Sequence, residues 1–357
     1  MVLYEMNFKI MGGFNMEKVI VVGAGVMGSA LAIHLGNNQV AVNLWGTKWD
    51  EKVLKDMEST RRHSKLEANL SESISLFYEE QLEEAFEETK LIIIAVSSKG
   101  IESICKTISP YLNEEHIILS VTKGIDEDNL YTMSNVIENA LPEELRGKVS
   151  IVKLGGPIRA NEIANAKYTE GVFASKNIES VKYAQKLFNS SKFKGGISAD
   201  IEGVELCAAF KNAYAITMGI VEGLEGDMDN PKAALMARGA VEMANIVEAY
   251  NGSRETALGI AGVGDYYVTA QGGRNRTFGV LLGKGKTKAQ AMDIMENQTV
   301  EGITATYNGY KLLKKLESQG KFNIREKAPL FQELYWILYE GKPVEEAINS
   351  YWESKDI

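Results

Sequence analysis

The stretch Lys18-Val19-Ile20-Val21-Val22-Gly23-Ala24-Gly25-Val26-Met27-Gly28-Ser29-Ala30-Leu31-Ala32 restricts this chain more than any other. Its apolar, β-branched opening reads as a buried parallel strand that breaks into Gly-x-Gly-x-x-Gly at the start of a small-residue helix. Gly23 permits the tight strand-to-helix turn, Gly25 lets a pyrophosphate approach the backbone, and Gly28 lets the helix lie close on the sheet. The helix N-terminus adds free N–H groups and the positive end of its dipole. Dinucleotide binding is the expected consequence, with a plain glycine turn as the alternative.

The periodicity downstream sorts the chain into two parts. Strands are expected at Val40 to Trp45, around Ile74 to Leu76, and at Leu91 to Val96, Ile117 to Val121, Val149 to Leu154, Gly171 to Ala174 and Gly195 to Ile197. An acidic amphipathic helix is expected from Glu79 to Thr89. The run Leu91-Ile92-Ile93-Ile94 shows no alternation, as when helices cover both faces of a parallel sheet. From Asp200 strand signals almost vanish, and long helices are expected at Glu202 to Leu224, Ala233 to Tyr250, Lys288 to Asn297, Thr304 to Gln319, Gln332 to Tyr339 and Val344 to Tyr351. The fold class that follows is an α/β Rossmann-type N-terminal domain, residues 16–199, and an all-α C-terminal domain, residues 200–357, carrying substrate and catalytic groups.

Composition removes several function classes. A net charge of -9 argues against a nucleic-acid or anionic-membrane surface. Three scattered histidines, His34, His63 and His116, assemble no zinc site, and no metal is expected. Cys105 and Cys207 sit in apolar patterns and read as buried, reduced thiols of a cytoplasmic protein. No apolar run reaches the ~20 residues of a membrane span. Residues 1–15 carry neither the basic start nor the apolar core of a signal peptide, and are set aside as an N-terminal extension.

Four places can carry chemistry. After the second strand, where a dinucleotide site often has an acid for the adenosine ribose, the chain reads Trp45-Gly46-Thr47-Lys48; no carboxylate stands there, which leans the cofactor toward NADP rather than NAD. A solvated Lys48 is the plainer alternative. Lys211 lies in Leu206-Cys207-Ala208-Ala209-Phe210-Lys211-Asn212-Ala213-Tyr214-Ala215-Ile216. On so apolar a face its ammonium loses hydration and its pKa should fall toward neutrality, unless the side chain snorkels to the surface. Lys123 follows the strand Ile117 to Val121 at the carboxyl edge of the sheet. In Gly262 to Arg276, paired glycines beside Arg274-Asn275-Arg276 suit a small anion, and Asp265 can pair with a lysine; a glycine-rich surface loop is the alternative. Two decoys are dismissed as solvated helix and turn residues: the P-loop-like Gly279 to Thr287, whose glycine spacing is off by one, and Tyr307-x-x-x-Lys311, which falls in the helical part.

Together these residues resemble the soluble nicotinamide-dependent glycerol-3-phosphate dehydrogenases of bacteria and archaea. The likeness runs from about Met16 to the C-terminus through Gly23-Ala24-Gly25-Val26-Met27-Gly28, Leu44-Trp45-Gly46, Thr122-Lys123-Gly124, Gly155-Gly156-Pro157, Phe210-Lys211-Asn212, Gly264-Asp265, Gly273-Arg274-Asn275-Arg276 and Val300-Glu301-Gly302. It implies a helical domain like that of 6-phosphogluconate dehydrogenase, an active site between the domains, a homodimer, and interconversion of sn-glycerol 3-phosphate and dihydroxyacetone phosphate that feeds glycerophospholipid synthesis. By resemblance Lys211, Lys123 and Asp265 are catalytic, and Arg274, Asn275 and Thr269 bind substrate. The cofactor, NAD or NADP, would meet Gly23, Gly25, Val26, Met27, Gly28, Trp45, Thr47, Lys48, Val96, Lys123, Ala160, Arg274 and Glu301. One departure stands out: the family's Gly-Pro-Ser-x-Ala-x-Glu is here Gly156-Pro157-Ile158-Arg159-Ala160-Asn161-Glu162. The loss of a hydroxyl and gain of Arg159 keep another polyol phosphate open as substrate. A 2-keto acid reductase of the ketopantoate type and a non-catalytic dinucleotide sensor are the other readings, whereas nucleic acid and membrane insertion are not expected.

Overall fold

The computed structural model describes residues 17–353, so the expectations for residues 1–15 and for Met16 fall outside the described residues. The strands are β1 (Lys18–Val22), β2 (Ala41–Trp45), β3 (Arg62–His63), β4 (Ala68–Asn69), β5 (Ile74–Phe77), β6 (Leu91–Ile94), β7 (Ile117–Ser120), β8 (Ser150–Gly155), β9 (Thr169–Ala174) and β10 (Phe193–Ser198). Eight of them make one sheet in the order β10-β9-β8-β7-β6-β1-β2-β5, and β3 and β4 form a separate antiparallel pair too short to leave a period in the sequence. Within the large sheet only β8 and β9 pair antiparallel. Val22 therefore lies level with Trp45 and Ile94, Ile94 with Ser120, and Ser120 with Lys153, so five strands end along one edge.

Seven helices accompany these strands: α1 (Val26–Asn37), α2 (Glu51–Thr60), α3 (Leu82–Phe86), α4 (Ile101–Ile108), α5 (Met133–Ala140), α6 (Ala160–Ala164) and α7 (Ile178–Phe188). They explain the unbroken apolar strands. Val19, Val21, Val42, Leu44 and Ile93 pack with Leu31 and Ile33 of α1 on one face, while Ile20, Val22, Ile92 and Ile94 pack with Ile101 and Ile104 of α4 on the other. Each such side chain contributes about 1.5–3 kcal/mol relative to exposure. The helix expected from Glu79 to Thr89 is shorter, a 3-10 turn at Glu79–Gln81 followed by α3. It stops because Glu88 adopts a left-handed φ of 57° and the Thr89 hydroxyl donates to Phe86 O at 2.8 Å.

Beyond β10 the chain is helical: α8 (Ile201–Glu225), α9 (Asp229–Ala249), α10 (Arg254–Leu258), α11 (Asp265–Ala270), α12 (Arg274–Gly283), α13 (Lys288–Ile294), α14 (Glu301–Ser318), α15 (Ile324–Lys327), α16 (Pro329–Tyr335) and α17 (Val344–Glu353), with π-helical turns at Ile260–Gly264 and Trp336–Glu340. The helix expected from Gln332 to Tyr339 is α16 running into the second of these turns. By length and composition α8 could cross a membrane, but its apolar window is wholly buried inside the protein. It is the axis on which α9, α11, α12 and α14 pack.

The P-loop-like segment has a different role from the solvated one expected. Gly279 and Gly283 of α12 face Gly219 and Gly223 of α8, and a Cβ on Gly279 would lie 2.1 Å from Ile216 O, one on Gly219 2.1 Å from Arg276 O. The two backbones touch, which no larger residue allows. The Tyr307-x-x-x-Lys311 decoy lies on α14, where Asn308 is buried with its Nδ2 donating to Ile125 O at 2.8 Å, and Lys311 donates to Glu127 O at 2.9 Å. Gly279→Ala should cost roughly 1–3 kcal/mol as an overpacked contact, read as a lower urea midpoint with an unchanged denaturant slope.

Candidate active site

The glycine turn sits at the centre of the sheet edge. Gly23 N donates to Trp45 O at 2.8 Å, its φ is +107°, and a Cβ there would meet Ala95 O at 3.0 Å. A Cβ on Gly28 would lie 1.9 Å from Gly23 O, so helix and turn meet only through glycine, whereas the Cβ position of Gly25 has nothing within 4 Å. Gly25 caps α1 without any side-chain hydrogen bond to its first N–H groups. An open backbone cradle with unpaired donors fits a pyrophosphate.

At the end of β2, Trp45 is buried at 1 % exposure among core residues, so it gives the turn its carbonyl rather than its ring. The Thr47 N–H and hydroxyl both donate to Asp50 Oδ2 at 3.0 Å, while the Lys48 ammonium lies 5.4 Å from the ring of exposed Trp49. Asp50, three residues past Thr47, thus brings to this loop a carboxylate that the reading of Trp45 to Lys48 passed over. Val96, after β6, touches the space a Gly23 Cβ would fill and accepts the Thr122 hydroxyl at 2.7 Å. Met27 lines a small apolar recess with Ile158 and Lys123.

The buried ionisable groups converge where the sheet edge meets the helical domain. Lys211 of α8, 3 % exposed, donates to Asp265 Oδ1 at 2.5 Å and to Thr269 Oγ1 at 2.6 Å. Lys123, from the loop after β7, donates to Asp265 Oδ2 at 3.1 Å. The carboxylate arrives there because the π-helical turn Ile260–Gly264 swings the chain into α11, whose first residue is Asp265. Only glycine serves at 262, where a Cβ would lie 1.8 Å from Ala257 O. Burial pushes Lys211 down to about 7 against the pull of Asp265, and the Lys123 charge adds to the fall. Burial is the largest influence on Lys123 too and works against its charge, yet Asp265, Lys211 and Glu301 together hold it above the ordinary lysine value. Burial alone would raise Asp265, but the two lysines hold it below the usual carboxylate value.

These groups border a cavity of about 240 Å³ whose lining includes Lys123, Arg159, Lys211, Asp265, Arg274 and Glu301. Arg274 opens α12, which Gly273, at φ +87°, caps without a side-chain bond. Asn275, also on the lining, spends its side chain inside the protein. Its Nδ2 donates to Asn212 Oδ1 at 3.0 Å and its Oδ1 accepts Gly302 N at 2.9 Å, while Asn212 donates to Glu301 Oε2 at 3.1 Å. Ala160 starts α6, directly after Arg159 of the lining, and is not itself part of that lining. Of the site residues expected from sequence, Lys123, Lys211, Asp265, Thr269, Arg274, Asn275 and Glu301 share one cavity. The glycine turn, Thr47 and Lys48 lie along the sheet edge outside its lining.

Sequence reasoning passed over one group beside this cluster. Lys153 of β8, 1 % exposed, donates to Thr122 O, the carbonyl just before Lys123, and lies 4.0 Å from Glu205 of α8. Glu205 accepts Ser134 N at 3.0 Å and the Ser134 hydroxyl at 2.6 Å at the start of α5. Burial pushes Lys153 down to about 8, with Glu205 opposing and Lys123 adding. The available signal was a lysine inside a strand covered on both faces. Cys105 and Cys207 are free and buried, and burial raises both thiols, Cys105 to about 12. Among the described residues no group of three or more His, Cys, Asp or Glu side chains is placed to hold a metal ion.

Family models for the NAD-dependent glycerol-3-phosphate dehydrogenase N-terminus and C-terminus match residues 18–181 and 200–349. The chain is 35 % identical over 339 residues to an NADP(+)-dependent glycerol-3-phosphate dehydrogenase of Archaeoglobus fulgidus, covering 92 % of this chain and 97 % of that one. It is 33 % identical over 337 residues to a glycerol-3-phosphate dehydrogenase [NAD(P)+] of Bacillus pumilus, with 94 % of each covered. The crystal structure of glycerol-3-phosphate dehydrogenase from Coxiella burnetii superposes with a TM-score of 0.82 at 27 % identity, covering 95 % of this chain and 99 % of that one.

Two outcomes test the electrostatics of this region. Neither cysteine should react with a thiol reagent at pH 8 until the protein is denatured. With Lys153 depressed below its unfolded value, the unfolded state binds more protons between pH 8 and about 10.5, so stability rises with pH in that window. The wild type should gain on Lys153→Met between pH 7.5 and 9.5, measured by urea midpoints.

Proposed function

This chain belongs to the NAD-dependent glycerol-3-phosphate dehydrogenase family, and on that premise we propose that its inter-domain cavity interconverts sn-glycerol 3-phosphate and dihydroxyacetone phosphate with NAD or NADP. In this reading residues 16–199 hold the cofactor and residues 200–357 supply the proton-transfer and phosphate-binding groups. One observation carries it. The Asp265 carboxylate is shared by a depressed lysine and an elevated one, with the Arg274 guanidinium on the same small cavity beyond the strands' carboxyl ends.

The nicotinamide, when bound, supplies or accepts the hydride. Arg274 and the uncapped N–H groups of α12 take the phosphate, which sets the ketone end toward Lys211. Lys211, oriented by Asp265 and Thr269, donates a proton to the carbonyl oxygen as it becomes an alkoxide. In the reverse direction its neutral amine removes the hydroxyl proton. Lys123, which keeps its charge, stabilises the developing oxyanion. For the cofactor's ribose end, Lys48 and the lack of a carboxylate directly after β2 support NADP use, although Asp50 turns its carboxylate back to Thr47. From the family resemblance we further take the enzyme to be a cytoplasmic homodimer that supplies glycerophospholipid synthesis; light scattering of the purified protein tests the dimer.

Lys211→Met should lower kcat about 10²–10⁴-fold, the usual scale of general acid–base catalysis, with NAD(P)H affinity little changed; near wild-type turnover would remove Lys211 from the mechanism. The pH profile follows from the value of about 7. Reduction needs the ammonium, so its kcat/KM should fall as pH rises through 7, while oxidation needs the amine and should rise across the same range. Arg274→Ala should act through KM for the phosphorylated substrate, and Lys48→Ala should raise KM for NADPH more than KM for NADH.

A further inference from the structure

Resting on the reading above, we propose that Arg159 is a second phosphate-binding cation, and that it sets this chain's preference for phosphorylated over unphosphorylated ketones. The charges around the cavity point to it. Four cations, Lys123, Arg159, Lys211 and Arg274, line it together with two carboxylates, Asp265 and Glu301. Asp265 is taken by the two lysines, and Glu301 by the Asn212 amide. The lining holds more cations than carboxylates, and among the described residues neither guanidinium pairs with Asp265 or Glu301. Among the described residues Arg274 makes no ion pair, and Arg159 has one loose partner, Glu162 at 3.4 Å, with side-chain exposures of 59 % and 47 %. An exposed pair of this kind is weak and easily exchanged for a better anion.

A phosphate monoester carries about -1.5 to -2 charges at pH 7, which two guanidinium groups match and a single one does not. The two arginines come from different domains. Arg274 begins α12, whereas Arg159 caps α6 just after β8. The backbone at 159 is fixed: Arg159 O accepts Glu162 N and Ile163 N, both at 3.0 Å, and the preceding Gly156 is wedged so that a Cβ there would meet Gly171 Cα and Ile260 Cγ2 at 3.2 Å. A rigid base carrying a long forked side chain at the cavity rim suits an anion held between the domains.

The experiment compares kcat/KM for dihydroxyacetone phosphate and for dihydroxyacetone, at saturating NAD(P)H, in the wild type, Arg159→Ala and Arg159→Lys. NADH affinity is followed by protein fluorescence. Arg159→Ala should raise KM for the phosphate ester about tenfold, the scale of one charge-assisted hydrogen bond, and lower the preference for the ester over the free ketone by a similar factor. Arg159→Lys should recover part of it. An unchanged preference, a parallel loss on both ketones, or a loss that follows NADH affinity would each overturn the role of Arg159. A wild type that does not reduce dihydroxyacetone phosphate would take down the proposed function and this inference together, whereas an active wild type with an unaffected Arg159→Ala removes the inference alone.

Discussion

A carboxylate at 2 % exposure persists in this protein because two ammonium groups take its two oxygens, one each. A buried charge without a partner is expensive, and removing one member of a buried pair is among the costliest single changes a fold can suffer. Lys123 comes from a loop at the edge of the sheet, Lys211 from the central helix of the second domain, and Asp265 from a helix that begins just after a π-helical turn. The ion cluster therefore ties the two domains together at the point where the chemistry is proposed. Lys153, Glu205 and Ser134 continue the same tie one layer deeper. Docking of the domains and the electrostatics of the cavity are one problem with one solution.

The two lysines on that carboxylate are not equivalent. Burial is the largest influence on both, yet Lys211, its side chain 4 % exposed, is driven down, while Lys123, 25 % exposed, is held up by Asp265, Lys211 and Glu301 together. Residue type alone predicts identical behaviour; the charges and hydrogen bonds around each separate them. Environments that push neighbouring groups in opposite directions are how a single site keeps one cation fixed and lets another exchange a proton near neutral pH.

Much of this was legible in the sequence because it rests on short-range constraints. The glycine turn, the unbroken apolar strands and the apolar setting of Lys211 each state a local requirement, and the structure meets it. What was illegible depends on contacts between distant segments. The partnership of Lys153 with Thr122 and Glu205 and the commitment of the Asn275 side chain to Asn212 and Gly302 leave no periodic trace. The Gly279 to Thr287 segment shows the hazard most plainly: glycines that resemble a phosphate loop are spaced instead to let two helices meet.

That meeting of helices has a metric consequence. Lys211 and Gly219 lie two turns apart on α8, and Arg274 and Gly279 lie within two turns on α12, so main-chain contact at the glycines fixes how the helices carrying these two cations meet. Side-chain packing elsewhere drifts readily as cores are rebuilt, but two abutting backbones have no slack to give. The seam works as a fixed spacer between the helices that carry Lys211 and Arg274, and a chain that kept every polar group while losing these glycines would hold those two cations at a different separation.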